Sequence, residues 1–144
     1  MAGERTFTCE ILSPAGRVET LEAHSAVFPA ADGMMGMWAG RAPAVVLLGA
    51  GPLRIDAADG GKRQYFIAGG VAQINESGLT LLADECTPKD DLDSAAVWDE
   101  IQTARRMPAE TDEEVAARDQ AVEIARAKFR LAQEGRPTQS WGVE

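Results

Sequence analysis

Cysteine, histidine and aromatic residues are scarce in this chain of 144 residues. Its two cysteines, Cys9 and Cys86, lie far apart in sequence, which speaks against a disulfide framework and favours reduced thiols. His24 is the single histidine, so neither a histidine-based triad nor a histidine-rich metal site can be assembled. Because no convergent set of His, Cys, Ser and acidic residues is evident, an independent enzyme is the least favoured class of function. We expect no metal and no cofactor.

Basic residues are also few, with 14 Lys and Arg against 23 Asp and Glu and a net charge of -9. Nucleic-acid binding needs clustered Lys and Arg for the phosphates, so nucleic acid is excluded as a partner. No apolar run approaches the roughly 20 residues of a membrane-spanning helix. Residues 1–7 lack the basic start and apolar run of a signal peptide. We therefore expect a soluble chain without lipid insertion, which can still sit on a membrane complex.

Phosphate-binding loops are absent as well. Residues 49–51 and the pair Gly69-Gly70 are rich in glycine, but both lead into predicted strands and neither is followed by Gly-Lys-Ser/Thr. A phosphate loop needs a helix N-terminus directly after it. We interpret both segments as hairpin turns.

What the chain does contain is glycine, concentrated in its first part. Twelve of the fourteen glycines fall at or before Gly78, which predicts a boundary near Thr87-Pro88. Before that boundary, short apolar runs separated by Gly and Pro predict seven strands: residues 7–11, 18–28, 44–48, 53–56, 64–68, 71–75 and 79–83. The run 44–48 is apolar throughout, which suits a strand buried on both sides. With no helical crossover between them, these strands predict an antiparallel sandwich or barrel.

After the boundary the spacing becomes helical. Asp90 and Asp91 precede Leu92 and indicate a helix start, since their spacing to Asp93 lacks the glycine and distal glutamate of a calcium loop. Pro108 ends this helix. Its apolar face is predicted to contain Val97, Trp98, Ile101 and Ala104.

A second helix begins at a Thr-x-x-Glu capping box formed by Thr111 and Glu114. Its apolar residues recur at three- and four-residue steps, at Val115, Val122, Ala125, Phe129 and Ala132. Because the connection between the helices is short, they should form an antiparallel hairpin. The seam is thin and rich in alanine, so the hairpin must lean on the sandwich or on a partner.

The predicted fold is therefore α+β, with an N-terminal antiparallel β-sandwich followed by a C-terminal two-helix hairpin. We expect the sandwich over residues 1–87, the hairpin over residues 88–134 and a flexible tail over residues 135–144. Trp141 is the one unusual residue of that tail.

Residues 33–43 form an apolar segment in which three glycines and a proline enclose three methionines and a tryptophan. We predict a sharply turned segment, with Gly33, Gly36, Gly40 and Pro43 as its structural residues. Its apolar side chains either plug the end of the sandwich or contact a partner. Met34, Met35 and Trp38 suit a partner interface, whereas Met37 suits the core. For Arg41 two alternatives stay open, a contact with acidic partner residues or a solvated position.

Four segments in order carry a family resemblance. Residues 33–43 are similar to Gly-x-x-Gly-[aliphatic]-x-x-Gly-His-Ala-Pro, with Arg41 in place of the histidine. Residues 51–55 are similar to Gly-x-Leu/Ile-Arg-Ile, residues 66–71 to Phe-x-x-Gly-Gly with its following strand, and residues 81–84 to a strand ending Leu-Ala-Asp. Together they resemble the epsilon subunits of bacterial F-type ATP synthases, whose mitochondrial counterpart is the delta subunit. The resemblance runs from about residue 7 to residue 133.

The resemblance implies a non-catalytic rotor subunit of the central stalk. In that family the sandwich binds the gamma subunit and the c-ring, coupling proton-driven rotation to the catalytic head. The hairpin either folds against the sandwich or extends towards the alpha and beta subunits as a brake. The resemblance also implies a peripheral position on the cytoplasmic face of the bacterial inner membrane. It assigns Met34, Met35, Trp38 and Arg41 to the partner-facing turn, although many relatives have an acidic residue in place of Met34.

Some members of this family bind ATP through an aliphatic-Asp-x-x-Arg-Ala motif. Residues 92–97 occupy that place here, with Ala96 where the arginine belongs. Losing a guanidinium removes a charge-assisted donor worth roughly 1.5–3 kcal/mol, so we expect ATP to bind poorly. If it does bind, Asp93, Arg126 and Arg130 are the candidate contacts. A nucleotide-sensing regulator remains the alternative function. Because the hairpin presents few basic residues in a block, we expect only weak self-inhibition.

Overall fold

The computed structural model describes residues 5–134. The predicted tail over residues 135–144, with Trp141, lies outside the described residues. Seven strands precede two helices: β1 (Phe7–Ser13), β2 (Gly16–Ala30), β3 (Gly33–Trp38), β4 (Ala44–Leu47), β5 (Ala50–Ala57), β6 (Lys62–Asn75), β7 (Gly78–Pro88), α1 (Ser94–Arg105) and α2 (Asp112–Gln133). A short 3-10 helix, Lys89–Asp91, links β7 to α1.

The strands form a mostly antiparallel sandwich because three long strands each contribute to both layers. The first layer consists of β4, residues 71–75 of β6, residues 78–82 of β7, β1 and residues 16–23 of β2. The second consists of β3, residues 25–30 of β2, β5, residues 62–68 of β6 and residues 85–88 of β7. Every pairing is antiparallel except β1 with β7, which is parallel. The predicted α+β fold is confirmed.

Gly69 and Gly70 form the corner at which β6 passes from one layer to the other. Both have positive φ angles, 72° and 105°. Pairing with β7 continues on either side of them, from Ala68 with Glu85 to Gly70 with Ala83. A Cβ atom at Gly70 would lie 1.9 Å from the carbonyl oxygen of Leu82. The prediction of a hairpin turn here is therefore wrong, because these glycines let a continuous strand bend where any side chain would collide with its neighbour.

The prediction that residues 44–48 are buried on both sides is also wrong. Val45 is 72% exposed and Leu47 66% exposed, whereas Ala44 and Val46 pack against the core. β4 is an edge strand that pairs with β6, and its alternate side chains point away from the sandwich.

The core lies between the two layers and contains both cysteines. Cys9 is fully buried, as its alternating position predicted, and Cys86 is partly buried beside the same cluster. Burial, with the nearby charge of Glu19, raises the pKa of the Cys9 thiol to about 12. Burial, with the charge of Glu85, raises the pKa of Cys86 to about 11. Both thiols are therefore protonated at neutral pH and are poor nucleophiles.

Helix α1 starts later than predicted, whereas α2 starts where the capping box predicts. Asp90 and Asp91 lie in the 3-10 helix, so α1 begins only at Ser94. For α2 the capping box is confirmed, because the Glu114 amide donates to the Thr111 hydroxyl and the Thr111 amide donates to the Glu114 carboxylate, both at 3.1 Å.

The hairpin folds back against the outer face of the second layer. A separate apolar cluster fills this contact, made of Phe66, Ala68, Leu92, Ala127, Leu131 and Ala132. Trp98, predicted on the apolar face of α1, is half exposed, and its ring lies 5.7 Å from that of Phe129. At the end of α2, Glu134 accepts from Arg54 and also approaches Lys89 at 3.6 Å. The hydrogen bond from Arg54 holds the pKa of the Glu134 carboxyl below its usual range.

We predict that Gly70→Ala lowers the unfolding free energy by more than about 2 kcal/mol, because it adds both backbone strain and a collision with Leu82. Urea denaturation of the purified chain measures this loss. Gly60→Ala is the matched control: its φ is 90°, but nothing lies within 4 Å of its added Cβ. We expect the control to lose about 1 kcal/mol from strain alone. Equal losses in the two variants would contradict a corner role for Gly70.

Candidate partner-binding surfaces

The two faces of β3 have different environments. Met34 and Trp38 point outward and are 51% and 58% exposed. Met37 is buried in the core, and Met35 packs against it. Strand alternation directs the Met35 side chain inward with Met37, which corrects the prediction that Met35 faces a partner.

Most of the predicted turn over residues 33–43 is strand. Gly36 lies inside β3, and Gly33 and Gly40 lie at or just beyond its ends with φ angles of 138° and 85°. Only part of the segment is therefore a turn. Pro43 is exposed and directly precedes β4.

The side chains of Trp38 and Arg41 both contact the backbone of Gly36. A Cβ atom at Gly36 would lie 2.7 Å from the Trp38 ring, so the indole rests on the bare backbone of this glycine. The Arg41 guanidinium donates to the Gly36 carbonyl oxygen. Arg41 is exposed, and this hydrogen bond within the chain restrains the loop after β3.

A second exposed apolar surface crosses the outer face of the first layer. The pairing registers place Leu47, Val71, Leu82 and Leu12 in one row across four strands. Leu47 and Leu82 are exposed, and Val45 adds a further exposed side chain on β4. We call Leu12, Leu82, Val71 and Leu47, together with the neighbouring Val45, the apolar row. Sequence reasoning missed the row because a continuous apolar run equally predicts a strand covered on both faces.

The apolar row lies close to the exposed face of β3. The Ala31 amide donates to the Leu47 carbonyl oxygen at 2.9 Å, and the Gly49 amide donates to that of Pro29 at 3.0 Å. Pro29 pairs in turn with Met34. The apolar row therefore adjoins the Met34 end of β3 where β4 meets β2. Scattered apolar residues need no explanation, but a group of this kind is typical of a protein–protein contact.

The residues considered for nucleotide binding do not converge. Ala96 lines a cavity of about 470 Å³ between α1, α2 and β7, together with Glu85, Asp99 and Glu100. Arg126 lines a different groove with Arg105 and Arg118. The cavity beside Ala96 is thus lined by three carboxylates and by Lys128, which pairs with Glu85 and Glu100, so its net negative charge repels phosphate.

Asp93 and Arg130 also lie outside the residues that line this cavity. Asp93 occupies the N-cap position of α1 without a side-chain capping bond, and Arg130 is exposed. Within residues 5–134, no group of three or more His, Cys, Asp or Glu side chains is arranged to hold a metal ion. None of the described helices is both long and apolar enough to span a bilayer.

Residues 6–89 match the family described as "ATP synthase, Delta/Epsilon chain, beta-sandwich domain". The ATP synthase epsilon chain of Rhodopirellula baltica is 33% identical over 127 residues, covering 88% of this chain and 98% of the relative. A second relative, from Propionigenium modestum, is named as a sodium ion specific ATP synthase epsilon chain. It is 28% identical, with 90% of this chain and 95% of the relative covered.

Solved structures show the same fold. A chain of the Euglena gracilis mitochondrial ATP synthase, from a structure of OSCP, F1 and c-ring, matches with a TM-score of 0.74 at 22% identity, covering 85% of this chain and 78% of that one. A chain from the central stalk and c-ring of the Tetrahymena thermophila mitochondrial ATP synthase matches with a TM-score of 0.71 at 10% identity, covering 89% and 97%.

We predict that isothermal titration calorimetry detects no saturable binding of submillimolar ATP, because the cavity beside Ala96 lacks a guanidinium and contains carboxylates. The double variant Ala96→Arg/Asp99→Asn supplies the donor and removes one negative charge, so any affinity should appear there first. Saturable binding by the unaltered chain would contradict the prediction.

Proposed function

Because this chain belongs to the delta and epsilon family of F-type ATP synthase subunits, as a non-catalytic part of the central stalk, we propose that it couples c-ring rotation to the gamma shaft. Rotation of the proton-driven ring is passed to the catalytic head through gamma, and this subunit prevents slippage between ring and shaft. It acts as a peripheral subunit on the cytoplasmic face of a bacterial inner membrane.

The observation that carries the proposal is the apolar row. Val45 and Leu47 are exposed on an edge strand, where an uncovered apolar surface is unfavourable for an isolated protein. Leu82 extends this surface onto β7. We assign the row to the gamma subunit, since a permanent rotor contact gains stability from buried apolar area.

We assign the exposed face of β3 to the c-ring. Met34 and Trp38 lie side by side on this face, and Gly36 between them lets the indole lie flat. Both side chains are of types enriched in protein interfaces. Since Met34 is uncharged, the contact relies on packing and not on a charge pair with the ring.

The sandwich is suited to transmitting torque because its two layers are tied together. β2, β6 and β7 each run through both layers. In the first layer β1 lies between β2 and β7 and pairs with both. Relative movement of the layers would break backbone hydrogen bonds and a close-packed core. A load applied at the exposed face of β3 is therefore carried through the backbone of the shared strands to the apolar row on the other layer.

We predict that Leu47→Ser/Leu82→Ser reduces the affinity of the subunit for a complex of alpha, beta and gamma by roughly tenfold or more, because two apolar anchors are lost. Surface plasmon resonance measures the affinity. Met34→Lys/Trp38→Lys should instead leave this affinity unchanged and reduce proton pumping in reconstituted vesicles that contain the ring.

Trp98→Ser is the matched control, since Trp98 is equally exposed but lies on the hairpin. We expect it to leave both measurements unchanged. Thermal unfolding of each variant verifies that the sandwich is intact. If Leu47→Ser/Leu82→Ser bound gamma-containing complexes as tightly as the unaltered chain, the assignment of the row would be wrong.

We further propose that the hairpin is only a weak brake on ATP hydrolysis through the alpha and beta subunits. Its exposed faces mix acidic and basic residues, and Arg118 is paired with Asp119 instead of being free to meet an acidic surface. The carboxylates beside Ala96 speak against the alternative of a nucleotide-sensing regulator.

A chain that ends at Pro88 keeps all of β7 and tests this proposal. We predict that ATP hydrolysis by complexes assembled with this truncated chain rises less than about twofold, because little inhibition is removed. A coupled ATPase assay measures the rate, and intact complexes are the control. An increase of several-fold would show that the hairpin is a strong brake.

A further inference from the structure

Lys128 is the buried charged residue of the described chain, with 8% of its surface exposed. It lies on α2, and its ammonium group approaches Glu85 of β7 at 2.5 Å and Glu100 of α1 at 2.9 Å. The same group lies 5.5 Å from the centroid of the Phe66 ring. One cation therefore joins both helices and the sandwich.

The apolar cluster between the hairpin and the sandwich is small, so the contacts of Lys128 matter for holding the hairpin in place. Three of the six buried residues in the apolar cluster are alanines, and alanine gains little from burial. Burial lowers the pKa of Lys128, but its hydrogen bonds and charge interactions with Glu85 and Glu100 more than offset this, and the net pKa is raised. Lys128 is therefore charged at neutral pH.

The two carboxylates are less buried than the cation they share. The side chains of Glu85 and Glu100 are 37% and 48% exposed. When either carboxylate leaves, water can solvate it, while Lys128 keeps the other as a partner. Breaking one of the two contacts thus leaves no unpaired buried charge, which is the costly outcome for an ordinary buried ion pair.

We propose that Lys128 is a shared latch with two separable contacts. Its contact with Glu85 holds the hairpin on the sandwich, and its contact with Glu100 holds α1 against α2. Loss of the first loosens the two helices as one unit, because Lys128 and Glu100 leave together while Glu134 keeps its contacts with Arg54 and Lys89. Loss of the second releases α1 while α2 stays docked through Glu85.

Hydrogen–deuterium exchange of the full chain, followed by mass spectrometry, separates these two events. In Glu85→Gln we expect amides of α1 and α2 to exchange faster by the same factor, on the order of tenfold, because the undocked hairpin is only marginally stable. In Glu100→Gln we expect faster exchange in α1 than in α2. Amides of β1 to β7 should exchange at unaltered rates in both variants.

Asp99→Asn is the control, because Asp99 is an exposed carboxylate next to Glu100 and should leave exchange unchanged. Lys128→Gln removes both contacts and should speed exchange in both helices, and the double variant Glu85→Gln/Glu100→Gln should speed it further because it leaves the buried ammonium unpaired. The proposal is overturned if Glu85→Gln and Glu100→Gln give the same exchange pattern, or if either leaves both helices at the rates of the unaltered chain.

Discussion

The approach of β6 to β7 at Gly70 is the constraint on which the rest of the sandwich depends. Position 70 accepts only glycine. Its φ is 105°, and a Cβ atom there would lie 1.9 Å from the carbonyl oxygen of Leu82. This bend carries β6 from one layer into the other without interrupting its pairing with β7. The core, the exposed row on the first layer and the hairpin site on the second all follow from that crossing.

The two layers consequently have different surroundings. The outer face of the second layer is covered by α2 at β6, where Phe66 packs against Leu131, whereas Met34 and Trp38 on β3 stay exposed. The corresponding face of the first layer keeps Leu47 and Leu82 in solvent. The fold therefore covers part of one outer face by itself and leaves β3 and the whole row on the other face for assembly, as expected for one part of a larger rotor.

Much of this fold could be predicted from the sequence, because alternation, capping and turn residues act locally. The strand of Cys9 and the capping box of Thr111 were predicted correctly for this reason. Gly69-Gly70 and the run 44–48 were misread because their roles depend on distant neighbours: glycine marks a corner as readily as a turn, and an apolar run does not reveal which face is covered. The sharing of Lys128 by two carboxylates has no local signal at all.

The exposed edge of β4 also has a consequence for the life of the subunit before assembly. The strand has only four residues and Leu47 accepts from the Ala31 amide, so its edge is a poor template for pairing, but Val45 and Leu47 still expose apolar side chains to water. Until these side chains are covered, the subunit keeps apolar surface in water, and the unassembled copy is the form in which nonspecific association is most favoured.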